Sequence, residues 1–224
     1  MEFQLKFVRS VSWIRFAVTG LLALSSLLVS TPLAAAASGT GPILILGDSL
    51  SAGYGLSSGE GWVDLLAKKL TQQKISTPVV NASISGDTTA GGVTRLPALL
   101  AKHKPSIVVI ELGGNDGLRG SPVAAAKSNL LKMAEAARAS GARVLLVGMR
   151  MPPNFGASYT SQFEAMYVEV AKATGAALVP FFLERIGADL SKFQPDKIHP
   201  TAAAQPELLD TVWPALWPLL KAGR

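Results

Sequence analysis

The sequence predicts an α/β fold in which a five-stranded parallel sheet carries helices on both faces. Short aliphatic runs alternate with longer segments whose apolar residues recur at helical spacing. Strands and helices that alternate in this way form parallel sheets covered on both faces. The polar loops containing Ser49, Gly86 and Asn115 each follow a predicted strand. These loops are therefore predicted to lie together at one edge of the sheet, where open α/β sheets bind ligands.

Five segments have the composition of short strands. The first, 43–46, contains four β-forming residues and no polar one, which indicates a strand buried on both faces. The third is introduced by Pro105 and ends at the polar run 113–116. The predicted strands are 43–46, 79–82, 107–112, 144–147 and 177–179.

Five helices are predicted between and after these strands. Pro97 is expected to kink or split the second, because proline removes a hydrogen bond inside a helix. Gly141 is a good stop for the third. Trp213 and Trp217, four residues apart, are expected to pack on the core. The predicted helices are 62–74, 89–102, 124–140, one around 163–170, and the tail 202–222.

The first 37 residues are predicted to be a secretory signal that is removed. Residues 2–15 carry three basic side chains, residues 16–30 carry no charge, and four alanines follow at 34–37. This pattern is typical of cleaved signals. An uncleaved membrane anchor is the alternative, but the apolar run is shorter than the ~20 residues that a membrane span requires. The rest, 38–224, is predicted to be one domain, located in the periplasm or secreted, without stable membrane insertion after cleavage.

The composition excludes several classes of function. Removing the signal takes away three basic residues and one acidic residue, so the net charge falls from +6 to +4. This excess is mild and spread along the chain, so nucleic-acid binding is not predicted. The chain has no cysteine, which excludes a thiol nucleophile and an iron–sulfur cluster. With only His103 and His199 available, a His-rich metal site is excluded too, and we predict no metal and no cofactor.

Ser49 is the candidate nucleophile. It follows the first predicted strand in the run Gly47-Asp48-Ser49, at the edge of the sheet where α/β proteins place their ligands. The same three residue types also favour ordinary turns. The run by itself therefore supports either a catalytic serine or a simple turn.

A serine nucleophile needs a base, and the chain offers two histidines. His103 lies between two lysines at the end of a predicted helix, which is typical of a solvated helix cap. His199 lies in a proline-bracketed loop, three residues after Asp196, and one turn at this spacing brings a carboxylate to the imidazole. The alternative for this pair is an Asx turn beside a surface histidine.

Hydrolysis by serine also needs hydrogen-bond donors for the developing oxyanion. The candidates are the side-chain amide of Asn115 and the backbone N–H groups of Ser49 and Gly86. Alternatively, the Gly-Gly-Asn-Asp run serves backbone geometry alone, because Gly and Asn tolerate positive φ. Asp48 and Asp116 are expected to brace these turns rather than take part in the chemistry.

Four blocks of this sequence resemble those of the GDSL/SGNH hydrolases and occur in that family's order across essentially the whole mature chain. Four ordered blocks are far more specific than any one of them. The longer runs 44–54 and 111–120 look like one branch, the bacterial periplasmic multifunctional acyl-CoA thioesterase I, lysophospholipase and arylesterase group. The four blocks are residues 47–50, 81–88, 113–116 and 196–199.

This resemblance implies a flavodoxin-like, three-layer α/β/α sandwich, the SGNH hydrolase fold. It implies that Ser49 is the nucleophile, that His199 is the base and that Asp196 orients the base. Gly86 and Asn115 would complete the oxyanion hole together with the backbone of Ser49.

The resemblance also implies substrate contacts in two loops. In the related branch the loop after the Asn block, here 117–122, moves over the bound acyl chain, so Gly117 and Leu118 are expected to contact substrate. Met151 and Pro152 resemble the neighbouring substrate loop. Where that loop carries Arg-Leu-Pro, this chain has a methionine in place of the leucine, so chain-length preference is not carried over.

The leading prediction is an exported serine esterase that cleaves acyl esters and thioesters, including aryl esters and lysophospholipids, through an acyl-enzyme on Ser49. Its predicted partner is the small-molecule substrate alone, and the protein is predicted to be a monomer. Two alternatives remain. One is a carbohydrate acetyl esterase with the same catalytic residues, and the other is a binding protein that keeps the fold without turnover.

Overall fold

A five-stranded parallel sheet lies at the centre of the structure, a computed structural model that describes residues 41–222. Its strands are β1 (Ile43–Gly47), β2 (Val79–Asn81), β3 (Ile107–Glu111), β4 (Arg143–Val147) and β5 (Ala177–Val179). Their order is β2-β1-β3-β4-β5, and every neighbouring pair is parallel. This is the strand order of flavodoxin-like folds, so the predicted sheet is confirmed.

Helices follow the strands and cover both faces of the sheet. The α-helices are α1 (Ser49–Ala52), α2 (Trp62–Gln72), α3 (Thr89–His103), α4 (Gly114–Leu118), α5 (Val123–Ala139), α6 (Ala157–Thr174) and α7 (Gln205–Lys221). Short 3₁₀ helices span Pro153–Phe155, Leu190–Lys192 and Ala202–Ala204. Helix α5 packs against both α3 and α6, and α2 packs against α7. The three-layer α/β/α sandwich is therefore confirmed.

The core lies between these layers. Strands β1 and β3 are buried along their whole length, as the run of aliphatic residues at 43–46 predicts. Trp62, Phe163 and Tyr167 are among the largest fully buried side chains. Burial of a phenylalanine side chain such as that of Phe163 stabilises a fold by roughly 1.5–3 kcal/mol. Trp213 and Trp217 are half-buried against this core and stack on each other, which confirms their predicted packing.

Two details of the helices differ from the prediction. Pro97 does not split α3, which is continuous from Thr89 to His103, so the predicted split is wrong and the kink, its alternative, stays a prediction. The side chain of Thr88 caps its first turn and Leu96 is buried, so capping and packing compensate for the hydrogen bond that proline removes. The loops that begin at Ser49 and Gly114 contain the short helices α1 and α4, which are too short for sequence periodicity to predict.

The predicted signal at 1–37 lies outside the described residues, so its cleavage stays a prediction. Within residues 41–222, no helix combines the length and the apolar composition required to span a membrane.

Candidate active site

Ser49 is the first residue of α1, directly after β1. Asp48 caps this helix, because its Oδ1 accepts the N–H of Leu50 at 3.0 Å. Gly47 is needed at the end of β1, since a Cβ there would lie 2.7 Å from the Cβ of Ser51. A buried strand, a buried cap and a close packing contact therefore place the serine at the edge of the sheet.

Asp196 and His199 lie in the loop between Phe193 and Pro200, which form an antiparallel bridge. Oδ1 of Asp196 accepts the N–H of Ile198 at 2.9 Å and that of His199 at 3.0 Å. Its Oδ2 lies 2.8 Å from Nδ1 of His199. The backbone hydrogen bonds from His199 and Ile198 lower the pKa of Asp196 to about 2. This carboxyl group is therefore ionised in neutral solution and faces the imidazole.

The structure brings Ser49 and His199 together across 150 residues. Nε2 of His199 lies 2.9 Å from Oγ of Ser49. Together with the contact between Asp196 and Nδ1, this gives a continuous hydrogen-bonded arrangement, called the triad below. The other candidate, His103, lies at the last position of α3 and does not line the cavity that contains His199.

Two residues that the sequence analysis did not identify connect the serine and histidine loops. The ring of Tyr54 lies 4.4 Å from that of His199, centroid to centroid. Nε2 of Gln194 donates to the carbonyl of Tyr54 at 2.9 Å and to that of Pro200 at 3.1 Å. No local pattern marks Gln194, because its partner is 140 residues away.

The three candidate oxyanion donors line the same cavity as His199. Gly86 has a φ of 80°, in the left-handed region that favours glycine, and a Cβ there would meet nothing within 4 Å. Nδ2 of Asn115 donates to Oδ2 of Asp48 at 3.1 Å and to the carbonyl of Asp87 at 2.9 Å. The amide is thus held in a fixed orientation against Asp48, the residue before Ser49.

The two aspartates predicted to brace the turns do so. Asp48 accepts hydrogen bonds from Leu50 and Asn115. Asp116 accepts the N–H of Thr89 at 2.9 Å and its hydroxyl at 2.6 Å, which ties α4 to the start of α3. The bracing prediction is confirmed for both.

A cavity of about 620 Å³ opens beside the triad. This volume falls in the range of small-molecule sites. Leu118, Met151 and Pro152 line it, as expected for substrate contacts, whereas Gly117 is buried behind Met151 and is not part of the wall. The other apolar side chains that line it are Leu50, Tyr54, Met149, Pro153, Phe181, Leu183, Leu190, Phe193 and Ile198.

Comparison with known proteins identifies the family. The profile of the GDSL-like lipase/acylhydrolase family matches residues 45–205, most of the chain. The chain belongs to this family. It is 56% identical to Esterase TesA of Pseudomonas aeruginosa, over 80% of this chain and 89% of that protein. It is 44% identical to thioesterase 1/protease 1/lysophospholipase L1 of Escherichia coli K12, over 80% of this chain and 84% of that protein.

A solved structure supports the same assignment. The psychrotrophic esterase EstA from Pseudoalteromonas sp., inhibited by monoethylphosphonate, matches with a TM-score of 0.77 and 40% identity. The match covers 81% of this chain and 99% of that one. As a member of the GDSL-like lipase/acylhydrolase family, the protein is an ester hydrolase. Within residues 41–222, no group of three or more His, Asp or Glu side chains is arranged to bind a metal ion.

Because Asp48 is buried, we expect the free energy of unfolding of the protein to depend on pH. Burial raises the pKa of Asp48 from the ordinary 3.8 to about 6. Folding therefore favours the protonated carboxyl, and stability is lost as the pH rises from 3.8 through 6. Two pKa units correspond to roughly 3 kcal/mol.

We expect the free energy of unfolding of wild type, minus that of Asp48→Asn, to fall by roughly 2 kcal/mol between pH 4 and pH 8, since part of the total is already lost at pH 4. The substitution keeps a side-chain oxygen for the N–H of Leu50 but removes the charge. Urea unfolding of both proteins at five pH values measures the difference. If the difference in the free energy of unfolding does not change with pH, ionisation of Asp48 does not destabilise the folded protein.

Proposed function

We propose that the protein hydrolyses carboxylic esters and thioesters of acyl chains by two-step acyl transfer through an ester on Ser49. The observation that carries this proposal is the triad: Ser49, His199 and Asp196 form consecutive hydrogen bonds at the wall of a largely apolar cavity. A hydroxyl, an imidazole and a carboxylate in this order are the parts of a serine hydrolase.

In the first step, Oγ of Ser49 attacks the carbonyl carbon of the substrate, and Nε2 of His199 takes the hydroxyl proton. Asp196 is ionised, accepts the Nδ1–H of the ring and stabilises the imidazolium that forms. The backbone hydrogen bonds that Asp196 receives keep its oxygens in place. The ring of Tyr54 packs against the imidazole and limits its rotation.

The negative charge that develops on the carbonyl oxygen needs fixed donors. The N–H groups of Ser49 and Gly86 and the amide of Asn115 fill this role, because all three line the cavity beside Oγ. Asp48 and the carbonyl of Asp87 orient the Asn115 amide before substrate arrives. When the oxyanion forms, an N–H of this amide donates to the oxyanion and to its present acceptor at the same time. Losing one such donor typically costs ~3–4 kcal/mol in the barrier.

Collapse of the tetrahedral intermediate breaks the bond to the alcohol or thiol, which leaves with the proton from His199. Water then attacks the acyl-enzyme, gives its proton to the same imidazole, and releases the carboxylic acid and free Ser49. Both steps need the side chains of one chain only, which supports a monomer as the acting form. The mechanism uses no metal or cofactor.

The cavity favours longer acyl groups over the acetyl groups of carbohydrates. Its wall is formed mainly by aliphatic, aromatic and methionine side chains, such as Met149, Phe181 and Leu183. The names of the relatives, an esterase and a thioesterase/lysophospholipase, support acyl substrates of the same kind. The signal-like segment at 1–37 supports action in the periplasm or outside the cell.

We expect kcat/KM for p-nitrophenyl esters to rise about two- to fourfold with each added methylene from acetyl to octanoyl. Burying one methylene contributes about 0.8 kcal/mol, so the apolar cavity should stabilise each longer transition state further. Matched thioesters should follow the same trend. A profile that peaks at acetyl and collapses by octanoyl would instead support the carbohydrate acetyl esterase.

A fluorophosphonate probe tests the nucleophile. We expect one equivalent to label wild type at Ser49, identified by peptide mass, since a phosphonate also inhibits the structurally similar EstA. His199→Ala should label much more slowly, because the base is missing. A folded wild-type protein that neither turns over esters nor takes up the label would support the binding protein instead.

A further inference from the structure

Glu111 lies buried directly beneath the nucleophile turn. It is the last residue of β3, opposite Gly47 of β1, and its side chain has no exposed surface. Oε2 accepts the hydroxyl of Ser51 at 2.7 Å and the N–H of Asp48 at 3.4 Å. Asp48 comes directly before Ser49, and Ser51 follows Ser49 by two positions. One carboxyl oxygen therefore holds both ends of the turn that carries the nucleophile.

The same contact extends into the core. Nε1 of Trp62 donates to Oγ of Ser51 at 3.2 Å, so Ser51 accepts from the indole and donates to Glu111. Trp62, Ser51 and Glu111 are all buried. These two hydrogen bonds connect the start of α2, the middle of α1 and the end of β3.

The surroundings of Glu111 are those of a neutral acid. Its other oxygen, Oε1, is buried without a hydrogen-bond partner, and among residues 41–222 no Lys, Arg or His lies within 4.0 Å of the carboxyl. A buried, unpaired carboxylate is costly. Burial, followed by the charge of Asp48, raises the pKa of Glu111 well above its usual range.

The titratable groups that face Glu111 are acids. Asp48 faces it from the β1–α1 turn, and Tyr167 from α6 donates its hydroxyl to the carbonyl of Leu112 at 3.0 Å. The charge interaction with His199 lowers the pKa of Asp48, in the direction opposite to burial. The charge of this region is therefore carried by Asp48, which faces His199 and Asn115, and Glu111 stays uncharged beneath it.

We propose that Glu111 is a positioning residue: by holding Ser51 and the backbone of Asp48, it fixes where Oγ of Ser49 stands relative to His199. The proposal rests on the proposed function of Ser49 as nucleophile. A misplacement of about 1 Å costs on the order of 100-fold in rate. Position 111 needs an oxygen that accepts the hydrogen bonds from Ser51 and Asp48. It does not need a negative charge, which would repel the carboxylate of Asp48.

The test compares Glu111→Gln, which keeps an acceptor oxygen without a charge, with Glu111→Leu, which has a similar size and no acceptor. Val109→Ala is the matched control, because Val109 is equally buried in the same strand and outside this contact. We expect Glu111→Leu to lower kcat for p-nitrophenyl butyrate about 10- to 100-fold with KM changed less than about twofold. Glu111→Gln should recover most of this loss, and Val109→Ala should lose stability without a comparable loss of kcat.

Two further readouts separate positioning from general destabilisation. The rate at which the fluorophosphonate labels Ser49 should fall in Glu111→Leu by the same factor as kcat. The pH profile of kcat/KM in Glu111→Gln should match that of wild type between about pH 5 and 9. Circular dichroism and thermal unfolding establish that each variant is folded. If Glu111→Leu does not fold, Ser51→Ala removes the same hydrogen bond from the other side and should show the same loss of kcat.

Three outcomes would overturn the proposal. Glu111→Gln could lose as much kcat as Glu111→Leu, which would mean that the charge is needed. Folded Glu111→Leu, or Ser51→Ala in its place, could keep the kcat of Val109→Ala, which would reduce Glu111 to a packing role. A wild-type protein without esterase turnover or labelling would refute the proposed function of Ser49 itself, a result distinct from the other two.

Discussion

Replacing Ser49 by alanine is expected to lower kcat for p-nitrophenyl ester hydrolysis by a factor of about 10⁴ to 10⁶. The hydroxyl lies 2.9 Å from Nε2 of His199, and among the described residues of the cavity wall no second hydroxyl is hydrogen-bonded to that imidazole. Without the hydroxyl, hydrolysis depends on water and on the remaining oxyanion donors alone. KM should change little, since the side chain adds almost nothing to the apolar wall.

The control for this substitution is Ser158→Ala, because Ser158 is an exposed serine on α6 that does not line the cavity. It should keep wild-type kcat and stability. Initial rates for the three proteins, with active-site titration to correct for the folded fraction, give the comparison. Rates for Ser49→Ala within tenfold of wild type would refute the acyl-enzyme mechanism.

Most of the sheet could be predicted from local sequence, because burial on both faces leaves a distinct pattern. Strands β1 and β3 consist almost entirely of aliphatic residues, and apolar runs this short that contain β-branched residues are typical of buried strands. The short helices α1 and α4 could not be predicted. Each has only one turn or slightly more, so its apolar residues show no periodicity.

The candidate catalytic residues could be selected because the chain offers few alternatives. With two histidines and no cysteine, the only base near a carboxylate in sequence is His199. What could not be predicted is contact between parts of the chain that are distant in sequence. The bond between Gln194 and Tyr54 spans 140 residues, and that between Glu111 and Ser51 spans 60.

Glu111 illustrates this limit most clearly. In sequence it is one polar residue at the end of an apolar strand, and nothing local distinguishes it from a solvated strand end. In the structure, the pairing of β1 with β3 places it opposite Gly47, and the missing side chain at that glycine leaves room for the carboxyl group. Its neighbours are therefore determined by register, which local sequence does not contain.

Replacing His199 by alanine is expected to lower kcat about as much as Ser49→Ala, by a factor of about 10⁴ to 10⁶. The hydroxyl of Ser49 loses its proton acceptor, and the carboxylate of Asp196 loses the imidazole that it orients. The matched control is His103→Ala, which removes the chain's other histidine at the end of α3 and should leave kcat unchanged.

The double variant Ser49→Ala/His199→Ala decides whether the two side chains act as one unit. Residues of a triad serve a single proton transfer, so removing the second costs almost nothing once the first is gone. We therefore expect the double variant to be no more than about threefold slower than either single variant. Losses that multiply would mean that Ser49 and His199 contribute independently, and the 2.9 Å contact between them would then not be the path of the proton.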